Sequence, residues 1–277
     1  MFEIMIYEWR RAIARKKVIV LSVITFIFEL GIYIAIYLAP SPSLKTLIIP
    51  LSPYLWALGV LLPQVLLIHF LAISIASGSM AEEYEQGTVD YFISKPITRL
   101  RFIVEKWLGS FSLLLIIYLF MVVIALILSS LFFGAQSDLI LLPELFFSVL
   151  FSTLVFLNIA FAIGEILRRS NLSFTISGFI LIASVIISNV LIFVSILTGN
   201  KSYEMISEYL PTWGATELPF MLLQNTPFST IVRGLNIFPS VSNNVNLAIL
   251  SIIVYSIVAF IPALINFLER DIPKRIS

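Results

Sequence analysis

Six long, nearly uncharged runs constrain the fold of this chain more than any other feature of its sequence. They are Val18–Leu38, Tyr54–Ser77, Gly109–Phe133, Leu145–Leu167, Leu172–Leu197 and Leu247–Leu268. At about 1.5 Å of rise per residue, each is long enough as a helix to cross a hydrocarbon core of about 30 Å. The runs are continuous rather than alternating, which argues against a strand barrel. Composition agrees: 12% of the residues are charged, against about 25% in a soluble domain. An ordinary water-soluble enzyme is excluded, and the expected fold class is an all-α membrane protein with six transmembrane helices.

Lysine and arginine set the expected orientation. With six spans both termini share a side. That side would hold fourteen of the 17 basic residues, and only Lys45, Lys201 and Arg233 would lie opposite. Both termini are therefore expected in the cytoplasm, with the chain in the cell membrane and the lipid bilayer as its solvent. Residues 1–17 would precede a transmembrane domain over 18–268. Within it, 78–108 would form a cytoplasmic link and 198–246 an extracellular loop, and 269–277 would be a cytoplasmic tail. Seventeen residues precede the first span, and Tyr37-Leu38-Ala39-Pro40 after it offers no small-residue cleavage pattern, so a retained span is expected rather than a signal peptide.

In the N-terminal segment Phe2, Met5, Ile6, Trp9 and Ile13 recur at helical spacing, with Glu3, Arg10, Arg11 and Arg15 largely off that face. This predicts a helix lying in the membrane plane, with Trp9 at headgroup level. Other chemistry is excluded by counting. There is no cysteine and only one histidine, His69, so thiolate sites and two-histidine zinc sites cannot form. A net charge of +1 gives no basic surface for nucleic acid. The phosphate-cradling pattern G-x-x-x-x-G-K-[ST] is absent.

The link between the second and third spans carries the most information. Gly87 can end a helix continuing from the second span. Thr88 can cap a new one, with Asp90 well placed in its first turn. Pro96 stops that helix near Ser94. The prediction is a helix of one to two turns from Val89 to Ser94, with Val89, Phe92 and Ile93 as its apolar face. Thr98 can then cap a longer helix running through Lys106 into the third span. A two-turn helix is not stable alone. Its apolar face must pack either on the chain's own helices or in a groove of another protein, and the residues leave both open.

The run Glu85-x-Gly87-Thr88, then Ser94-x-Pro96-x-x-Arg99, then Lys106, resembles the signature of the permeases of type-2, exporter-class ABC transporters. The N-terminal helix, the short basic link Arg168-Arg169-Ser170-Asn171, the long outward segment and the ending Phe267-Leu268-Glu269-Arg270-Asp271 resemble that family in order and position. The resemblance implies that the 89–94 segment is a coupling helix that contacts an ATPase subunit. Val89, Asp90, Phe92 and Ile93 would make the contact, Glu85, Gly87 and Thr88 would shape the elbow before it, and Pro96 and Arg99 the turn after it. It further implies no catalytic residue and no cofactor in this chain, with ATP and Mg on the partner ATPase. A second permease subunit, as a homodimer or a paired chain, would complete the pathway.

Polar groups inside the spans are the candidate pathway residues. Glu29 sits near the middle of the first span, where a carboxylate costs about 2.5–3.5 kcal/mol or more to insert. His69 follows Pro63, a candidate kink, in the second span. Asn158 and Asn189 can bond across helices. Glu165 lies one turn before Arg168 and Arg169, which predicts a local ion pair. An alternative function is a secondary, proton-coupled transporter using Glu29 and His69. In the outward segment, Glu217, Gln224, Asn225 and Pro227 interrupt the apolar stretch around Pro219 too soon for a seventh span, so short helices at the outer mouth are expected.

Overall fold

The computed structural model describes residues 3–38, 46, 48–93, 97–224, 226 and 244–269; for Asp90 and Ile93 the description covers the backbone alone. Twelve α-helices order the account: α1 (Glu3–Ala14), α2 (Lys16–Tyr37), α3 (Trp56–Gln64), α4 (Leu67–Ser79), α5 (Ala81–Gln86), α6 (Val89–Ile93), α7 (Arg99–Phe133), α8 (Leu142–Leu167), α9 (Ser170–Thr198), α10 (Ser202–Ser207), α11 (Pro211–Leu222) and α12 (Val245–Glu269). No strand occurs among the described residues. Five helices are long and apolar enough to cross a membrane, and α3 together with α4–α5 supplies a sixth span bent by 51°.

Helix α8 is the centre of the bundle. The most apolar stretch of its span is 72% buried, against 17% in α2 and in α12, and it packs mainly on α4 and α12. The peripheral helices turn large apolar side chains outward, among them Ile27, Phe179 and Val258, as expected of surfaces that face lipid tails. Helix ends gather at two poles. At one, Arg15 reaches Glu82, Lys106 reaches Glu83, the Ser170 amide reaches Glu85, and Arg99 reaches the Leu268 carbonyl. At the other, the Ser137 amide meets Pro53 O at 2.8 Å, and the Trp56 indole donates to Ser137 O at 2.9 Å.

Helix α7 forms as the sequence predicts. The Thr98 hydroxyl accepts from the Arg101 amide at 3.3 Å, satisfying one of the free donors at the helix start. Its 35 residues run to Phe133, about 52 Å at helical rise, so it outreaches the hydrocarbon core. The second span differs from a simple kink at Pro63. Helix α3 continues through Pro63 to Gln64, and the chain leaves the helical region at Leu66 (φ −140°, ψ −50°) before α4 begins. Helix α11 stabilises the break from the side: the Gln64 amide donates to Thr216 O at 3.0 Å. Thus α11 does not merely lie across the outer mouth. It is buried against α8 and α12 and reaches the interruption of the second span.

Helix α1 lies against α7. Its buried stripe is Ile4, Glu8 and Ala12, at four-residue spacing. Of the apolar positions expected on one face, Ile6 and Ile13 are exposed, Met5 and Trp9 are half-buried, and Phe2 lies outside the described residues. The Trp9 indole is committed to α7, donating to Gly109 O at 3.1 Å and to the Ser112 hydroxyl at 2.9 Å. So one face of α1 grips the bundle while the outward face carries Glu3 and Arg10 beside Ile6 and Ile13.

Candidate functional site

The 81–99 segment is built by a turn and a short helix. Gly87 adopts φ 68°, the left-handed region in which a side chain is strained. The Thr88 amide then donates to Glu83 O at 2.9 Å and the Gly87 amide to Tyr84 O at 3.2 Å, the two bonds of a Schellman ending. The Thr88 carbonyl starts α6 by accepting from the Phe92 amide at 3.3 Å. The Thr88 hydroxyl turns back to the Glu83 carboxylate. Val89 is buried, and the Phe92 ring lies 5.3 Å from Tyr7 and 5.2 Å from Phe102. Of the expected apolar face, Phe92 therefore seats on the chain's own α1 and α7. Among the described side chains of α6, Tyr91 is turned outward, 60% exposed. The Asp90 and Ile93 side chains and all of Pro96 lie outside the described residues. Glu85 accepts from the Ser170 amide at 2.8 Å and so ties α5 to the start of α9. Arg99 donates to Leu268 O at 3.1 Å, at the end of α12.

Beneath α6 lies a buried charge network that sequence reasoning did not find. The Lys106 ammonium bonds the Glu8 carboxylate at 2.7 Å and also the Glu83 carboxylate. All three side chains are fully buried, and the ammonium stands 4.9 Å from the centre of the Tyr7 ring. Arg11 pairs with Glu83, and with Glu82 at 3.3 Å. Arg15 pairs with Glu82 at 3.0 Å and Glu8 at 3.2 Å, and donates to Ile75 O at 2.7 Å. Three acids thus balance three bases across α1, the α1–α2 joint, α5 and α7. Such groups lose so much hydration that only mutual pairing holds them inside. Burial pushes the Glu83 carboxyl up, but Lys106, the Thr88 hydroxyl and Arg11 outweigh it and hold it below the usual carboxylate range. Burial likewise disfavours the Arg11 charge, and Glu83, with Tyr7 and Glu82, more than restores it. Glu83 lies beyond the second apolar run, and Arg11 lies on α1, before the first. One signal in the sequence pointed here: Glu8 falls at four-residue spacing between Ile4 and Ala12.

The candidate pathway residues occupy different surroundings. Glu29 is fully buried, and neither carboxylate oxygen has a hydrogen-bond partner among the described residues. His69 is fully buried, with its ring 5.2 Å from Phe156 of α8. Asn158 accepts from the Trp107 indole at 2.6 Å and so holds α8 to α7. Asn189 is exposed on α9 and donates to Val185 O at 2.9 Å. Glu165 accepts from the Tyr84 hydroxyl at 2.9 Å and from the Asn266 amide at 3.3 Å, while the Arg168 guanidinium lies 4.4 Å from the centre of the Tyr84 ring.

A family model described as ABC-2 family transporter protein matches residues 2–272. The chain belongs to the ABC-2 transporter family. No curated protein matches it. As an ABC-2 permease it is a multi-pass membrane subunit of an ABC transporter, from a family whose members associate with an ABC ATPase and are generally not catalytic themselves. The short helix and the network beneath it then lie at the pole of this ABC-2 permease where α2, α7 and α9 begin and α8 and α12 end.

Proposed function

We propose that this chain is the membrane half-pathway of an ABC exporter, driven by a separate ATPase that docks on α6. The observation that carries the reading is how α6 is mounted. Tyr91 is presented outward, while Thr88 at the root of α6 bonds Glu83, and Glu83 is locked to Lys106 of α7 and Arg11 of α1. A force on α6 can therefore pass through these side-chain bonds to two further helices. In this reading the pole rich in lysine and arginine is cytoplasmic. ATP and Mg are held by the partner, because this chain lacks the phosphate-cradling pattern. A second permease subunit, identical or paired, completes a pathway that opens alternately to the two sides as the ATPase closes and releases. The proton-coupled alternative draws less support, because Glu29 and His69 make no hydrogen bond to each other.

The test is isolation of the tagged full-length chain from native membranes in mild detergent, with co-purifying chains identified by mass spectrometry. A stoichiometric partner bearing a Walker motif is expected, and Tyr91→Asp should release it while the permease still elutes as a folded particle. Phe92→Asp is the poorer probe, since it also breaks packing on Tyr7 and Phe102. Reproducible isolation without any ATPase would overturn the reading.

A further inference from the structure

At the break between α3 and α4 a cavity of about 480 Å³ opens between α2, α9 and α11. That volume lies within the range of sites for small organic ligands. Its walls divide by chemistry. Phe28 of α2 and Leu66 of the break lie on the apolar side; Asn189 of α9, and Thr216 and Glu217 of α11, supply polar groups. Two features show that this is more than a packing defect. Non-helical backbone within a membrane span is tolerated only where protein covers it or where it lines a cavity, and here Val65 and Leu66 line one. Discontinuous helices of this kind form binding sites in other transporters.

The second feature is Glu217. From Thr212 to Met221 every residue of α11 is buried except this one. It lines the cavity, and it makes no hydrogen bond or ion pair among the described residues. Among the described residues it is the only charged one in the cavity wall. A carboxylate in apolar surroundings is costly to leave unpaired. A cationic ligand removes that cost, and the apolar side of the cavity demands that the remainder of the ligand be hydrophobic.

We propose that this cavity binds an amphiphile, with its apolar tail along the broken span and its protonated amine on Glu217. The inference rests on the permease reading and names the substrate class for it. The Glu217 carboxylate accepts a charge-assisted hydrogen bond from the amine. Thr216 and Asn189 offer further polar partners to the headgroup, and Phe28 with Leu66 contacts the tail.

The experiment uses the purified full-length chain in lipid nanodiscs and a long-chain primary amine carrying a diazirine. After irradiation, adducts are mapped by mass spectrometry. They are expected on α9 and α11, and dodecylamine should compete at least tenfold better than dodecanol of the same chain length. Glu217→Gln should weaken labelling roughly tenfold or more, the range expected for loss of a hydrogen bond between charged groups, and Glu217→Asp should retain more than Gln. Ser188→Phe, which fills the cavity from α9, should abolish labelling. Equal competition by the amine and the alcohol on the unmodified chain would overturn the proposal, and that comparison depends on no variant folding. So would undiminished labelling of α9 and α11 in a Glu217→Gln chain of unchanged melting temperature. Labelling needs no ATPase, so its failure leaves the docking reading standing, and absence of an ATPase partner leaves the labelling result intact.

Discussion

Replacing Lys106 with methionine should detach α1 from the bundle at its buried face. Methionine keeps most of the length of the side chain and removes the charge. The Glu8 and Glu83 carboxylates, both fully buried, then lose the ammonium that bridges them. Removing one member of a buried ion pair costs about 3–5 kcal/mol, mainly through the charge left behind. Here each acid keeps one guanidinium, Glu8 that of Arg15 and Glu83 that of Arg11, so the lower end, about 3 kcal/mol, is expected. At about 1.4 kcal/mol per decade this raises the undocked population of α1 roughly 100-fold. Hydrogen exchange of the α1 amides in nanodiscs reads that population directly. The double variant Glu8→Leu, Lys106→Met removes one charge of each sign, leaves Arg11 on Glu83 and Arg15 on Glu82, and should restore most of the protection. Unchanged exchange of α1 in Lys106→Met alone would refute the reasoning, because the network would then not be what holds the helix.

Two further outcomes follow from the same contacts. Gly109→Ala should be destabilising although alanine is the better helix former. Its Cβ would stand 2.8 Å from Glu8 Cβ, and Glu8 is pinned by Lys106 and Arg15, so an overpacking cost of about 1–3 kcal/mol is expected as a lower melting temperature. The network should also fail in acid. Glu83 is held below its ordinary range, so its contribution is fully present above about pH 4.3. It is lost as pH falls through the lower value of the folded chain. Protection of α1, corrected for intrinsic exchange, should be flat from pH 8 to 5 and drop only in stronger acid.

The parts of this fold that depend on local pattern were legible in the sequence. Long uncharged runs have one stable form in lipid, so the spans follow from hydropathy. Gly87 and Thr98 act through the backbone of their own neighbours, so the turn before α6 and the start of α7 follow from residue type. Glu8 and Lys106 are different. They are 98 residues apart, and in a sequence each reads as a surface charge. Only the docking of α1 on α7 makes them a pair, and that docking needs the bare backbone of Gly109. The break at Val65 and Leu66 was equally hidden, because it depends on α11 arriving from the distant outward segment. Of the face expected on α6, Val89 and Phe92 are turned inward and the Ile93 side chain lies outside the described residues; the direction of Phe92 was set by Tyr7 and Phe102 on other helices.

Helix α7 has a mechanical consequence. It contains no proline and runs unbroken from Arg99, beside the short helix, to Phe133 at the far pole. Three residues beyond it, Gln136 accepts from the Trp56 amide at 3.2 Å and donates to Ser52 O at 3.1 Å. It thus grips the segment that opens the bent second span. A stiff lever about 52 Å long that pivots at its midpoint through about 10° swings each tip by about 4–5 Å, in opposite senses. A sideways push on α6 at one face of the membrane would arrive at the other as an opposite displacement of Trp56. The foot of that lever is tied to α1 and α5 through Lys106, so the buried charges would carry a push on α6 into it rather than contribute to stability alone.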